Sequence, residues 1–219
     1  MLLGSANAIE QIIYEGRSLS QVLDTLDPKL RPAIQSVTFA ALRSWAHAQK
    51  RIQKLVPKKP SKEVDLLLSV SCTLILGQER GDMQNRYPAH TIVNEAVKAA
   101  GSSPKTQFAQ GLINAVLRKI AVSSKDEDLV GQGFGIAFPR WWLEQLQAAY
   151  PKEWQGICIE QGKRPPLVLR INTNKISLID YCALLESKEI SYRRIEHLSG
   201  IALGTAIVIQ EPIPVSKIP

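Results

Sequence analysis

Apolar side chains recur with helical spacing through the first half of this chain, and that repeat limits the fold more than any other feature. Between Leu30 and Leu55 they alternate steps of four and three residues, the spacing that lines one face of an α-helix. The repeat returns in four further segments, at residues 2–13, 64–76, 88–100 and 104–122. Residues 1–125 are therefore predicted to form an all-helical bundle. Its central helix is predicted at 64–76, because that segment is apolar on nearly every side.

Two glycines interrupt the helical segments. Gly101 follows the segment that begins at Pro88, so it is predicted to end that helix at the C′ position. Gly111 lies inside a helical pattern, where glycine costs up to about 1 kcal/mol relative to alanine. We expect a close helix crossing to require it, with Asn94 and Asn114 forming hydrogen bonds across the crossing.

The pattern changes after residue 122. Residues 123–135, SSKDEDLVGQGFG, combine an acidic run with three glycines, a composition typical of a linker. Beyond them the sequence predicts a helix pair, a strand, a helix capped by Ser177 and two more strands. We therefore predict a helical domain at 1–125, a linker at 126–136 and a small α+β lobe at 137–219 with the order helix pair then β-α-β-β. The predicted fold class is mainly α.

The charge balance allows a nucleic-acid partner. The chain has 27 Lys and Arg against 20 Asp and Glu, a formal net charge of +7, which is compatible with nucleic-acid binding without requiring it. Residues 28–62 hold nine bases and no acid. Within them Arg43, His47, Lys50 and Lys54 fall on one helical stripe. This stripe is a candidate phosphate-binding surface, and a solvated helix face is the alternative.

Two further basic groups follow along the chain. Arg118 and Lys119 end the last helix of the bundle, where cations also complement the helix dipole. The segment KRPPLVLRINTNK, at 163–175, predicts a short strand rimmed by side chains that donate hydrogen bonds. Arg164 lies at its start, and the donors suited to phosphates or base edges at its far end are Arg170, Asn172, Asn174 and Lys175.

The helix pair of the lobe is rich in aromatic residues. Trp141, Trp142, Tyr150 and Trp154 could stack on bases. Because Trp142, Tyr150 and Trp154 recur at helical spacing, we favour a core face for them.

Other classes of site are poorly supported. The cysteines, Cys72, Cys158 and Cys182, lie far apart in apolar contexts, so we predict reduced core thiols and neither a disulfide framework nor a metal site. The three histidines show no metal-ligand spacing. There is no run of 18 apolar residues and no signal-peptide pattern. We expect no metal, no membrane contact and a cytoplasmic location.

Five segments in register carry a family resemblance: FAALR (39–43), YPAHTIVNEAV (87–97), QGLINAVLRKI (110–120), FPRWWLEQLQAAYP (138–151) and KRPPLVLRINTNK (163–175). Together they resemble the N-terminal part of the Sun/Fmu family of bacterial small-subunit ribosomal RNA cytosine-5 methyltransferases. The resemblance implies a helical domain similar to the NusB antitermination factor up to about residue 125. It also implies an RNA-binding lobe from about residue 136.

In that family a domain that binds S-adenosylmethionine follows, and two of its cysteines act on the cytosine. The glycine-rich cofactor loop and the Thr-Cys-Ser and Pro-Cys contexts of that domain do not occur in this chain. The resemblance therefore implies the RNA-binding, substrate-recognition region of a 16S ribosomal RNA (cytosine-C5) methyltransferase, truncated before its catalytic domain. We expect no cofactor and no catalysis in this chain, and S-adenosylmethionine in the full-length parent.

The resemblance also implies partners and contact residues. The expected partners are small-subunit ribosomal RNA and the missing methyltransferase domain. Carried over residue by residue, Arg164, Arg170, Asn172 and Lys175 become the leading candidates for contact with the RNA backbone. A role of Arg170 and Asn172 in bracing the domain interface is the alternative.

Two interpretations from other functional classes stay open. A NusB-like transcription antitermination or RNA-assembly adaptor accounts for the helical domain and leaves residues 136–219 without a role. A helical protein–protein scaffold treats the charge as a source of solubility. RNA binding with a steep salt dependence would separate the first two interpretations from the scaffold.

Limited proteolysis tests the predicted domain boundary. We expect the earliest cuts between residues 123 and 135, because a linker of this composition exposes its backbone to a protease. Mass spectrometry of the first fragments reads the cut sites. Early cuts inside 64–76 or 104–122 would show that the boundary is misplaced.

Overall fold

A computed structural model describes residues 1–79, 87–123, 138–162, 165–198, 200–211 and 213–219 of the protein. The chain divides into two compact units, Met1–Lys163 and Arg164–Pro219. The helices described in the first unit are α1 (Leu2–Ile13), α2 (Leu19–Asp24), α3 (Arg31–Leu55), α4 (Lys62–Glu79), α5 (Ala89–Gly101), α6 (Gln110–Ser123), α7 (Arg140–Ala149) and α8 (Trp154–Gly162). A short 3₁₀ turn, Gln107–Ala109, leads into α6.

Helix α4 is the centre of the bundle. All residues at 64–77 are buried, and α1, α3, α5 and α6 pack against the helix. Two of its small polar residues bond within the helix, since Ser71 Oγ donates to the carbonyl of Leu67 at 2.8 Å and Thr73 Oγ1 donates to that of Val70 at 2.7 Å. Ser69 Oγ accepts from Nε2 of Gln49 on α3 at 2.6 Å. A helix that is apolar all round is stable only when other helices cover it. The predicted central helix is therefore confirmed.

Helix α2 begins at a capping box. Ser18 Oγ accepts a hydrogen bond from the backbone N–H of Gln21 at 3.3 Å, and the Gln21 side chain accepts from the backbone N–H of Ser18 at 3.0 Å. Two of the N–H groups at the start of the helix are thus satisfied. The cap holds Val22 and Leu23 in the buried corner that α2 forms with α1.

Gly101 does lie at the end of its helix, but the reason predicted for a glycine at this position is wrong. Gly101 is the last residue of α5, and Ser102 follows it as the C-cap in the right-handed helical conformation, so the glycine does not provide a left-handed C′ residue. A Cβ atom at Gly101 would lie 2.6 Å from Nε2 of Gln110. The glycine instead makes room for the side chain that begins α6.

The second unit is a three-stranded sheet with one helix. Its elements are β1 (Leu167–Arg170), α9 (Leu178–Ser187), β2 (Tyr192–Leu198) and β3 (Ile201–Ile209). The strands are antiparallel in the order β1-β3-β2. Helix α9 begins at Ser177, whose Oγ accepts from the backbone N–H of Asp180 at 3.1 Å, as predicted.

Helix α9 covers one face of this sheet. Leu185 on the helix packs with Ile207 and Ile209 on the central strand β3. At the sheet edge, Tyr192 Oη donates to Glu186 Oε1 of α9 at 2.7 Å. Hydrogen bonds with Cys182 and with Glu186 raise the pKa of Tyr192 above its ordinary value. The phenol therefore stays protonated, so it keeps the hydrogen that it donates to the helix.

The fold class predicted from the sequence is confirmed: the chain is mainly helical, with a helix pair and then β-α-β-β. The linker predicted at 126–136 lies outside the described residues, as do Lys163 and Arg164. The domain boundary therefore stays a prediction.

Truncation of the central helix tests the packing of the bundle. Leu67 is fully buried on α4, so Leu67→Ala is expected to lower the free energy of unfolding by about 2–5 kcal/mol, from lost burial and the cavity left behind. Urea denaturation followed by circular dichroism measures the change. Leu55→Ala, at the more exposed last residue of α3, is the control. Equal losses in both variants would contradict a bundle centred on α4.

Candidate nucleic-acid interface

Helix α3 presents a basic surface, the α3 outer face, formed by Phe39, Arg43, Lys50 and Lys54. The two lysines are exposed, Arg43 is half-buried, and Phe39 is 41% exposed one turn before Arg43. His47, predicted on the same stripe, is buried, because its side of the helix turns towards the bundle. The basic surface is therefore narrower than predicted. It runs about 22 Å along the helix axis.

Helix α6 presents a second surface, the α6 outer face, formed by Phe108, Gly111, Leu112, Ala115, Arg118 and Lys119. The opposite side of the helix is buried in the bundle. Phe108 is 74% exposed and Leu112 is 39% exposed. Arg118 Nε donates to Asn114 Oδ1 at 2.9 Å, which engages one of its five donors and orients the guanidinium. This surface combines exposed apolar groups with two exposed cations.

The structure contradicts the reason predicted for Gly111. No atom lies within 4 Å of the position that a Cβ would take there, so no helix crossing requires the glycine. The asparagines do not bridge a crossing either, because Asn114 bonds within its own helix and Asn94 is exposed. Gly111 is exposed, so this open space lies on the α6 outer face. A ligand can approach the backbone closely at this point.

Both helices lack acidic residues, since α3 and α6 contain no Asp or Glu. Ion pairs with acids occur at other lysines of the first unit: Lys98 Nζ lies 2.9 Å from Glu95 Oε1, and Lys105 Nζ lies 3.5 Å from Glu63 Oε1. A phosphate near the α3 or α6 outer face would therefore meet cations without repulsion from a carboxylate on the same helix.

Strand β1 and the turn after it hold three of the residues predicted to contact RNA. Arg170, Asn172 and Lys175 are all exposed. Asn172 also shapes the turn, because its Oδ1 accepts from the N–H of Asn174 at 3.2 Å and its carbonyl accepts from the N–H of Lys175 at 2.9 Å. The structure thus brings these residues together, with Asn172 partly committed to the turn. Arg164 lies outside the described residues.

The sheet face opposite α9 adds a cation that the sequence analysis missed. In the register of the sheet, Arg170 lies opposite Ala206, and Arg193 lies opposite Val208. The side chains of both arginines and of their two partners therefore lie on the face of the sheet that does not pack on α9. The strand reads Tyr192-Arg193-Arg194-Ile195 and does not alternate apolar with polar residues, so the sequence offered no period-two signal for which arginine faces away from α9. Arg170 and Arg193 therefore flank a shared, partly apolar sheet face.

The aromatic residues of the helix pair divide between two environments. The rings of Phe138 and Trp142 stack with centroids 4.6 Å apart, and Trp142 and Trp154 are half-buried. Tyr150, predicted on the core face, is exposed, as is Trp141. The core interpretation therefore holds for Trp142 and Trp154 and is wrong for Tyr150, because Tyr150 is the C-cap residue, beyond the last turn of α7.

The cysteines are free and buried, as predicted. Burial raises the pKa of the Cys158 thiol, which is the opposite of the lowered pKa that a nucleophilic cysteine needs. Across the described residues no cluster of three metal-ligating side chains occurs. In the same part of the chain, no helix is both long and apolar enough to span a membrane.

Each of these surfaces by itself suits a polyanion. Cations line two acid-free helices of the first unit and, in the second unit, the sheet face opposite α9. Phosphate contacts supply sequence-independent affinity, and exposed aromatic rings such as Phe39 and Phe108 can stack on unpaired bases. Both features fit single-stranded or looped nucleic acid better than a small-molecule site.

Comparison with known families divides the chain in two. The NusB family model matches residues 5–122. A second model, described as the Methyltr_RsmF/B-like, ferredoxin-like domain, matches residues 138–216.

Relatives with similar sequences match over nearly the whole chain. A probable ribosomal RNA small subunit methyltransferase B of Coxiella burnetii is 31% identical over 219 residues, covering 98% of this chain and 48% of the relative. Ribosomal RNA small subunit methyltransferase B of Escherichia coli O6:H1 is 31% identical over 225 residues, covering 98% and 49%. The chain spans about half the length of the curated relatives it matches.

A solved structure has a similar fold. The crystal structure of a protein designated PH0851 superposes with a TM-score of 0.58 at 15% sequence identity, covering 98% of this chain and 48% of that one. At this identity the likeness supports the fold alone.

Substitution of Gly111 tests whether the fold itself needs the glycine. With open space around it, Gly111→Ala is expected to raise the free energy of unfolding by up to about 1 kcal/mol through helix propensity. Gly156→Ala is the matched control, because Gly156 lies in α8 with equally open surroundings. Thermal unfolding of both variants reads the effect. Destabilisation by Gly111→Ala alone would indicate an internal contact at α6.

Proposed function

We propose that this chain, which belongs to the NusB family over residues 5–122, is the RNA-binding, substrate-recognition region of a small-subunit ribosomal RNA (cytosine-C5) methyltransferase. In this proposal the catalytic domain belongs to the half of the relatives that the chain does not match. The ligand is small-subunit ribosomal RNA, and the setting is the cytoplasm, where that RNA is modified. The observation that supports the proposal most is the order of two matches, NusB and then RsmF/B-like, along one chain.

The surfaces of the chain support an RNA ligand. In the first unit the candidates are Arg43, Lys50, Lys54, Arg118 and Lys119, with Phe39 and Phe108 beside them. In the second unit they are Arg170, Asn172, Lys175 and Arg193, and Arg164 remains a candidate on the strength of the resemblance. Each neutralised phosphate would release counterions and steepen the salt dependence of binding.

The two other interpretations explain less. An antitermination adaptor has no use for a sheet whose open face carries Arg170 and Arg193, and it leaves the match at 138–216 unexplained. A protein–protein scaffold treats the charge as a source of solubility, and it gives no role to the concentration of cations on two acid-free helices. RNA recognition accounts for both features.

Among the described residues, the cavity that α1, α4 and α5 form does not fit S-adenosylmethionine. That ligand needs donors and a carboxylate for its ribose, adenine and zwitterionic end. A cavity of about 500 Å³ between α1, α4 and α5 is lined mainly by apolar side chains such as Leu3, Leu74 and Ile92. The charged pair on its lining, Glu95 and Lys98, is engaged in a mutual bond of 2.9 Å. We therefore assign the cofactor to the catalytic domain of the full-length parent.

Removal of cations from the sheet unit tests the proposal. In Arg170→Ala combined with Lys175→Ala, binding of a small-subunit ribosomal RNA hairpin is expected to weaken by about 1–3 kcal/mol for each well-formed contact. The slope of log K against log salt should flatten by about one unit for each lost phosphate contact. Fluorescence anisotropy at several salt concentrations measures both quantities.

The matched control is Lys188→Ala combined with Lys217→Ala, which removes two exposed cations of the same unit that lie off β1 and its turn. Thermal unfolding must be recorded for every variant, because Arg170 could act through stability. Equal affinity and salt slope in a folded Arg170/Lys175 double variant and in wild type would refute the contact. An absence of RNA binding by the wild-type chain would refute the proposed function.

A further inference from the structure

Helix α7 carries an exposed indole that the packing of the chain does not explain. Trp141 is 61% exposed, whereas tryptophan is on average among the most buried residues. Its neighbour Trp142 is half-buried and stacks on Phe138, with ring centroids 4.6 Å apart and planes 25° apart. Leu143 is buried. The start of α7 is thus held by packing on one side while Trp141 projects from the other.

The surface around this indole is polar. Gln145 and Ala148 follow Trp141 at steps of four and three residues, so the three share one exposed face of α7. The adjacent stripe carries Arg140 and Glu144, whose side chains form an exposed ion pair with Nε 2.8 Å from Oε1. Such a pair contributes little to stability and opens easily. The Trp141 ring therefore lies beside the amide of Gln145, the small side chain of Ala148 and an arginine, Arg140, whose ion pair can open.

We propose that Trp141 is a base-stacking residue that receives one unpaired nucleotide of the bound RNA, with Gln145 contacting the edge of that base. This inference rests on the proposed function and adds a residue to it. A nucleobase matches the site because it offers a flat apolar face together with a hydrogen-bonding edge. The amide of Gln145, one turn along the helix, provides both a donor and an acceptor for that edge.

A protein partner fits the same site less well. Apolar protein surfaces dock on patches in which several apolar side chains adjoin, and here the ring is flanked by Gln145 and by the Arg140–Glu144 pair. The formal net charge of +7 also disfavours a second copy of the chain. Arg140 can turn from Glu144 to the phosphate of the stacked nucleotide. A single nucleotide can contact the Trp141 ring, the Gln145 amide and the Arg140 guanidinium at once, so it is the occupant that this face fits best.

The test compares two RNA probes with the full chain. One probe is a fluorescein-labelled small-subunit ribosomal RNA hairpin with an unpaired loop, and the other is a fully paired duplex of the same stem. Trp141→Ala is expected to bind the hairpin about 5- to 10-fold more weakly, within the range for loss of one stacked base. Its affinity for the duplex should match that of wild type, because a base inside a paired stem is not free to stack on the indole.

A second variant and a spectroscopic signal isolate stacking from folding. Trp141→Phe should keep most of the hairpin affinity, since phenylalanine also stacks. In wild type, unlabelled hairpin should quench tryptophan fluorescence, and that quenching should shrink sharply in Trp141→Phe although binding persists. Ile159→Ala, which removes another exposed apolar side chain from the helix pair, is the control and should leave hairpin binding unchanged.

Each outcome decides the matter. If a folded Trp141→Ala variant binds the hairpin as tightly as wild type, and binding still depends on salt, the stacking inference is overturned and the proposed function stands. Equal losses on hairpin and duplex would overturn base stacking. If tryptophan fluorescence changes with protein concentration and not with added RNA, the indole contacts another copy of the chain. That result would also overturn the stacking inference. If the wild-type chain binds neither probe, both proposals fail.

Discussion

Burial of helix α4 is the interaction on which the helical unit depends. Its residues from 64 to 77 are buried on every side of the helix, so four other helices must supply the cover, and α1, α3, α5 and α6 do so. A covering helix needs apolar side chains only on its inner face. The outer faces of α3 and α6 are therefore released from packing, and it is on those faces that the exposed cations and phenylalanines lie.

The same division of faces operates in the sheet unit. Helix α9 covers the face that carries Ile207 and Ile209, and strand alternation sends Arg170 and Arg193 to the opposite face. A stable core on one side and a charged surface on the other thus follow from one register. A register slip of one residue would exchange the two faces, so the hydrophobic core also determines where the arginines point.

The architecture was predictable from the sequence because its apolar residues recur with a regular helical spacing. The apolar repeat identified the bundle and its central helix, and Ser177 was recognised as a cap from local chemistry alone. Residue roles that depend on tertiary neighbours were not predictable. The spacing around Gly101 suggested a C′ glycine, whereas the cause is the Gln110 side chain. Helical spacing grouped Tyr150 with the core, and only the structure separates the half-buried Trp142 from the exposed Trp141.

The candidate site was predictable in part. The acid-free run at 28–62 identified the α3 stripe, but sequence periodicity placed His47 on its surface and the packing buries it. Arg193 and Phe108 were missed because their exposure depends on the pairing of β2 and on the turn that leads into α6. Charge patterns are read directly from a sequence, whereas the exposure of a single ring is a property of the fold.

Lysine footprinting tests the central claim, that RNA lies along the acid-free helices and the open side of the sheet unit. The chain is treated with an amine-acetylating reagent with and without a small-subunit ribosomal RNA hairpin, and mass spectrometry reads the reactivity of each lysine. RNA should protect Lys50, Lys119 and Lys175, while Lys98, Lys188 and Lys217 keep their reactivity. Protection of the second group, with Lys50, Lys119 and Lys175 unchanged, would contradict the account.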